Sequence, residues 1–225
     1  MILAWSLSFL IFFNVGGVMG MKHIHWLGHA SFRIEDAGKQ IYIDPYKLVK
    51  NEPKADIIFV THAHYDHYSA EDIAKIIKDG TIFIAPKDVA DQIGKGCLPV
   101  VPGEDYSAGG LKIHTLPAYN LDKKFHPKEN KWVGYIITLQ DGTKIYHSGD
   151  SDFIPEMRTI VVDIALLPCG GTYTMTAKQA ADAANVFKPK TLVPIHWGDI
   201  VGSKSDAEDV KKLFKGATVI LVPEQ

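Results

Sequence analysis

The sequence predicts one mixed α/β layered domain, running from Met21 to the end of the 225-residue chain behind an apolar stretch of twenty residues. Two observations predict it. Segments of strand length, apolar or alternating, recur from one end of the body to the other, and helical patterns with their own start and stop signals lie between them. The length suffices for one sizeable core, and no repeat, low-complexity linker or long charge run divides it.

Taken in order, residues 23–27, 31–35 and 40–43 read as strands, with Asp36-Ala37-Gly38 turning the chain between the last two. Residues 56–60 (DIIFV) form the short apolar run of a buried strand. Ser69 then caps a helix whose first turn carries Glu71 and Asp72, with Ile73, Ile76 and Ile77 on its apolar face and Gly80 as its stop. Residues 81–85 return as a strand, and 111–116, 132–139 and 143–147 are three more, the last two joined by an Asp141-Gly142 hairpin turn. Residues 163–167 and 191–195 are buried strands. Between them Thr176 to Gln179 is a capping box that opens a helix through Ala180, Ala183, Ala184 and Phe187, ended by Pro189. Ser205 opens the last helix, with Val210, Leu213 and Phe214 facing inward and Gly216 as the stop, and residues 219–222 add an edge strand.

Composition excludes several classes. A net charge of −2 argues against nucleic acid as a partner, which calls for a basic surface. Cys97 and Cys169 are too few for a disulfide scaffold or a cysteine zinc ribbon. Every charged residue lies after Gly20. The first twenty residues therefore read as the result of a start upstream of a true Met21, as a membrane anchor, as an uncleaved leader or as a packed extension. A cytoplasmic protein is expected, with a membrane partner only in the anchor case.

Histidine is the unusual count, at ten. Three of them, with an aspartate, fall within six residues in His62-Ala63-His64-Tyr65-Asp66-His67, directly after the DIIFV strand. In extended backbone residues i and i+2 point the same way, so His62 and His64 can aim two imidazoles at one cation. The turn that follows can direct Asp66 and His67 to a second point nearby. Imidazole and carboxylate suit zinc, nickel, manganese or iron. Asp150 in YHSGD and His196 in PIHWG each follow a buried strand, the usual position for sites in α/β folds.

HAHYDH resembles the HxHxDH signature of the metallo-β-lactamase superfamily. LGHASF and Ile43-Asp44-Pro45 before it, and IYHSGD, LLPCGGTYTM and PIHWG after it, stand in matching order across residues 26–198. LGHASF and GGTYTM are most similar to the L-ascorbate-6-phosphate lactonase-like group of metal-dependent hydrolases. The resemblance implies a four-layer αββα sandwich, two mixed sheets with outer helices, and two divalent cations at the edge between the sheets, zinc first. It assigns His62 and His64 to the first cation, Asp66, His67 and His196 to the second, Asp150 as the bridge and Asp44 as a buried acid supporting the histidine loop. One position departs from the pattern. Where the family supplies a third histidine to the first cation, this chain has Asn120; His126 from the same loop is the first choice to fill the place, and otherwise Asn120, water or no ligand takes it.

The resemblance further implies hydrolysis of an ester, lactone or phosphodiester in a small-molecule substrate by metal-bound hydroxide, with Asp66 accepting or shuttling a proton. The rival reading is a transition-metal storage protein on the same fold, motivated by Asn120 and by spare histidines near the N-terminus. His29 is expected either at the rim of the site or as a structural histidine, Tyr173 at the mouth, and Cys169 and Trp197 in packing. His23 and His25 share strand parity with His29, and His114 and His147 carry no assigned role.

Overall fold

The structure, a computed structural model, describes residues 21–224, so the alternatives for residues 1–20 fall outside the described residues. Among the described residues thirteen strands form two sheets. The first holds β1 (Ile24–Gly28), β2 (Ser31–Asp36), β3 (Lys39–Ile43), β4 (Ile57–Phe59), β5 (Ile82–Pro86) and β6 (Cys97–Val100), in that spatial order. β1 to β3 pair antiparallel and β3 to β6 parallel. The second sheet runs from β7 (Asp105–Ala108) through β8 (Leu111–Pro117), β9 (Val133–Thr138), β10 (Lys144–His147), β11 (Ile164–Pro168) and β12 (Thr191–Ile195) to β13 (Ala217–Thr218). It is antiparallel from β7 to β10 and parallel from β10 to β13.

Strand alternation decides which residues fill which layer. Phe32, Ile34, Ile41, Ile43, Ile57 and Phe59 from one sheet meet Val133, Tyr135, Ile137, Leu166, Val193 and Ile195 from the other. The opposite parity of the first sheet, Tyr42, Ile58 and Val60, packs under helices α1 (Ala70–Ile76) and α2 (Lys87–Ile93). Ala165, Leu167 and Leu192 of the second sheet pack under α3 (Ala177–Phe187) and α4 (Lys204–Leu213). Three apolar layers between four structural layers make the αββα sandwich. β11 and β12 are buried at every residue, which is why their sequences are continuous apolar runs.

Several boundaries differ from the sequence reading, each for a local reason. The last helix is capped by Ser203 with Asp206 in a capping box, two residues before the expected Ser205. Leu213 is 47% exposed on it, and Ala207 takes the buried place beside Val210 and Phe214. Ile77 is the C-cap of α1 and faces outward. The closing strand is β13 rather than residues 219–222. After the Val219 amide donates to Leu192 O (3.0 Å), the tail crosses to the other sheet, where the Glu224 amide donates to Trp26 O (2.8 Å). Residues 86–110 also hold α2, β6 and β7, none of which the sequence signalled. α2 buries only Val89 and Ala90, β6 carries Pro99, and β7 is a half-exposed edge. Among the described residues no helix is long and apolar enough to cross a membrane.

Candidate metal centre

The direction of the strands gathers the chemistry at one edge. β1, β3 and β4 run the same way in the first sheet, and β8, β10 and β12 run the same way in the second. Past their carboxyl ends lie His29, Asp44, the loop from His62 to His67, His126, Asp150 and His196 in turn. His29, Asp44 and His196 have left-handed backbone, with φ of 53°, 47° and 58°. All three are buried. Such backbone costs about 1–2 kcal/mol per residue and is concentrated where the side chains are needed.

His62, His64 and His126 bring one ring nitrogen each within 4.8 Å of one another. His62 Nε2 and His64 Nδ1 are 3.1 Å apart. That is close to the roughly 3.3 Å between two imidazole nitrogens on a tetrahedral zinc. Thr61 Oγ1 donates to Asp44 Oδ2 (2.7 Å) and so accepts from His62 Nδ1 (2.9 Å), which leaves Nε2 of His62 for a ligand. Trp132 packs against the three rings at centroid distances of 4.9–5.0 Å, and its Nε1 donates to Asp88 of α2 (2.8 Å).

His29, Asp66, His67 and His196 form the second group, again with ligand atoms within 4.8 Å. His67 Nδ1 donates to Asp44 Oδ2 (2.7 Å), which turns Nε2 toward the centre. Asp150 lies between the two groups. Its Oδ1 is 3.2 Å from His67 Nε2, and its Oδ2 is 3.0 Å from His196 Nε2 and 4.0 Å from His126 Nε2. His29 Nε2 holds Asp66 Oδ2 at 3.0 Å, and the His29 carbonyl accepts from the His196 amide (2.9 Å) and from Trp26 Nε1 (3.0 Å).

Electrostatics prepare these groups for a cation. Burial holds His62 well below the ordinary histidine range and brings His126 to about 4, so both rings are neutral. Burial works against Asp150, but His196 and His67 outweigh it and keep the carboxyl well below its usual range. Burial likewise opposes ionisation of Asp66, yet the His29 hydrogen bond and the His67 charge bring it down to about 2. Burial would lower His67, but Asp150 and Asp44 raise it well above the ordinary value, so a proton on Nε2 occupies the position a cation would take. Among the described residues, His67 Nε2, Asp150 Oδ1 and both ring nitrogens of His126 and His196 are buried without a hydrogen-bond partner. Each such atom costs about 1–3 kcal/mol. Cations between the two groups would engage one nitrogen of each ring together with the Asp150 carboxylate, so the donor set fits divalent cations.

All seven side chains expected as ligands therefore meet at this centre. Of the two residues competing for the open position, His126 joins His62 and His64. Asn120 uses both ends of its side chain elsewhere: Nδ2 donates to Tyr173 O (3.1 Å) and Oδ1 accepts from the His126 amide (3.1 Å). The parity argument for His23 and His25 does not hold. β1 ends in an irregular register at Gly28 and His29 sits in the turn beyond it, while His25 pairs with Glu224 (2.7 Å) at the surface. His114 pairs with Asp105 in a half-exposed position. Cys169 is buried and burial pushes its thiol up, and Trp197 packs on Trp26 at 4.9 Å. Sequence reasoning missed Trp132, for which nothing signalled a role. It also left His147 open. That ring meets Ala30 O through Nε2 (2.8 Å) and accepts the Gly149 amide on Nδ1 (3.1 Å), which fixes the turn carrying Asp150. Its position three residues before Asp150 was the one available clue.

Comparison with known proteins points the same way. The family model for the beta-lactamase superfamily domain matches residues 23–196. A UPF0173 metal-dependent hydrolase of Thermococcus onnurineus is 35% identical over 90% of this chain and 97% of its own length. Among solved structures, a proposed metal-dependent hydrolase from Parabacteroides distasonis matches with a TM-score of 0.79 at 33% identity, covering 88% of this chain and 91% of that one. Igni18, a metallo hydrolase from Ignicoccus hospitalis, matches with a TM-score of 0.72 at 26% identity, over 90% of this chain and 95% of its own.

Proposed function

The chain belongs to the β-lactamase superfamily, and from that premise we propose that it is a metal-dependent hydrolase of ester, lactone or phosphodiester bonds in small molecules. The observation that supports the reading most is the pair of adjoining ligand groups with the Asp150 carboxylate between them and their buried ring nitrogens unpaired. His62, His64 and His126 would hold one divalent cation, and Asp66, His67 and His196 the other, with Asp150 shared. Zinc is the first choice, with nickel, manganese or iron compatible with the same donors. When bound, such cations supply Lewis acidity, which makes water acidic near neutral pH and polarises the scissile carbonyl or phosphoryl group.

The remaining chemistry belongs to the chain. Asp66 faces the cavity above the cluster and is held ionised by His29, so it takes the proton of the attacking water and returns it to the leaving oxygen. Asp44 and Thr61 fix the tautomers of His67 and His62. Free thiols at Cys97 and Cys169 suit a reducing cytoplasm.

Zinc titration of metal-depleted full-length protein, with assays on an aryl phosphodiester, aryl esters and a lactone panel, tests the reading. Two equivalents and turnover of at least one class are expected, with Asp66→Asn lowering kcat by about 10²–10⁴-fold and weakening the second equivalent while the first is kept. Stoichiometric binding with no turnover of any class would instead favour storage. Two observations speak against that alternative: a ring nitrogen of His126 lies within 4.8 Å of those of His62 and His64, and His25 is engaged by Glu224.

A further inference from the structure

The mouth of the centre has a composition of its own. A cavity of about 250 Å³ opens over His126 and Asp150, and its walls are Tyr65, Phe125, Tyr173 and Ile200. Tyr65 is 66% and Phe125 45% exposed, so two large rings stand in solvent at one opening. Single exposed apolar residues are ordinary, whereas convergence on one concave spot marks a binding surface. The walls are also built. Phe125 and Tyr173 pack edge to face at 4.7 Å and 88°. Asn120 ties Tyr173 O to the loop that carries Phe125 and His126. On the opposite side Tyr65 meets Tyr46 edge to face at 6.1 Å.

Among the described residues no lysine or arginine lines this cavity. Of the lysines in the adjoining loops, Lys123 is held by Asp152 (2.5 Å) and Lys47 by Asp199 (2.7 Å), while Lys124, next to Phe125, is exposed and does not line the cavity. An anionic group held away from the scissile bond would lie against aromatic faces, which carry negative charge density, with only the two tyrosine hydroxyls to replace its water. An aryl or branched-alkyl group would instead bury its surface between the rings.

We infer that, given the hydrolase reading above, the substrate is an ester or lactone whose group beyond the scissile bond is uncharged and apolar, aromatic or branched, and that phosphorylated or carboxylated small molecules are rejected at the mouth. The reaction balances with water alone. The water oxygen bonds to the acyl carbon and the acyl C–O bond breaks with its electron pair going to the leaving oxygen. Asp66 relays one proton to that oxygen, giving a carboxylic acid and an alcohol.

Two paired measurements on the full-length protein test this. On the zinc-loaded enzyme, phenyl butyrate should exceed 4-carboxyphenyl butyrate at least tenfold in kcat/KM. Phe125→Ala should raise KM for phenyl butyrate about tenfold, which corresponds to about 1.4 kcal/mol, and Tyr65→Lys should move the ratio toward the anion about tenfold. On metal-free protein, titration with butyranilide followed by heteronuclear NMR should shift resonances of Tyr65, Phe125, Tyr173 and Ile200, and 4-carboxybutyranilide should not. Equal or better binding and turnover of the carboxylated partners would overturn the inference. Selective binding of the neutral anilide without hydrolysis of any ester would overturn the hydrolase reading and leave the mouth's selectivity standing.

Discussion

Asn120 and His126 show how one position can depart from a pattern while its geometry is kept. The loop leaves β8 and returns within six residues, closed by the Asn120 amide donating to His126 O (2.8 Å) and the His126 amide donating to Asn120 Oδ1 (3.1 Å). An amide oxygen is a weak ligand for a zinc-like ion, but here it serves as the staple that holds a better one. Asn120→Ala should lower zinc affinity at the three-histidine group by about 10–100-fold, the usual effect of losing a residue that orients a ligand. Chelator competition measures it, and unchanged affinity would remove the role given to Asn120. His29 makes a second residue-scale case. Its hydrogen bond is the largest influence lowering Asp66 to about 2 against burial. His29→Ala removes that donor, so in the metal-free protein the Asp66 carboxyl should titrate above its wild-type value, followed by heteronuclear NMR. An unmoved titration would mean that His29 is not what holds Asp66 ionised.

At the scale of elements, the chain told its story unevenly. β11 and β12 are apolar at every position because both faces are covered, and they were legible for that reason. The His62 to His67 loop was legible because its ligands are close in sequence, and Asp150 and His196 because each follows the end of a strand, β10 and β12. α2, β6 and β7 lie at the rim and bury too little to leave a periodic signature. His29, His147 and Trp132 act on residues far from them in the chain, through contacts that exist only once the two sheets have met. Such contacts also join the loops after β11 and β12. A Cβ on Gly170 would stand 2.4 Å from His196 O and 2.8 Å from Val201 Cγ2. The first neighbour is backbone and has nowhere to go without moving His196. Gly170→Ala should cost about 1–3 kcal/mol by overpacking and lower zinc affinity with it, readable as a fall in Tm and in competition titration. A variant with wild-type Tm would show that the two loops are not tightly coupled.

For the whole molecule, the centre lies between the two sheets and draws its side chains from loops of both, so its occupancy should register in global stability. Cations that bind only the folded state stabilise by about 2.7 kcal/mol at a hundredfold excess over Kd. At roughly 2–4 °C per kcal/mol for a chain of this size, zinc should raise Tm by about 5–10 °C. The metal-free protein should also be acid-sensitive, and the sign follows from the histidines. His126 titrates at about 4 in the fold against an ordinary 6.5. The unfolded chain therefore takes up the proton first, so stability falls as pH drops through about 6.5 and levels off below about 4. His29, His62, His64 and His147 are lowered in the same sense. His67 is raised, so its stabilisation is complete at low pH and lost as pH climbs through its folded value. Five groups against one give a net loss on acidification. Metal-free protein should thus melt several degrees lower at about pH 5 than at about pH 7, and the zinc-loaded protein should lose more, because its ligands must shed their protons to bind. Scanning calorimetry at the two pH values, with and without zinc, measures all four states. A Tm that does not change with zinc at neutral pH would place the bound ion outside this buried centre.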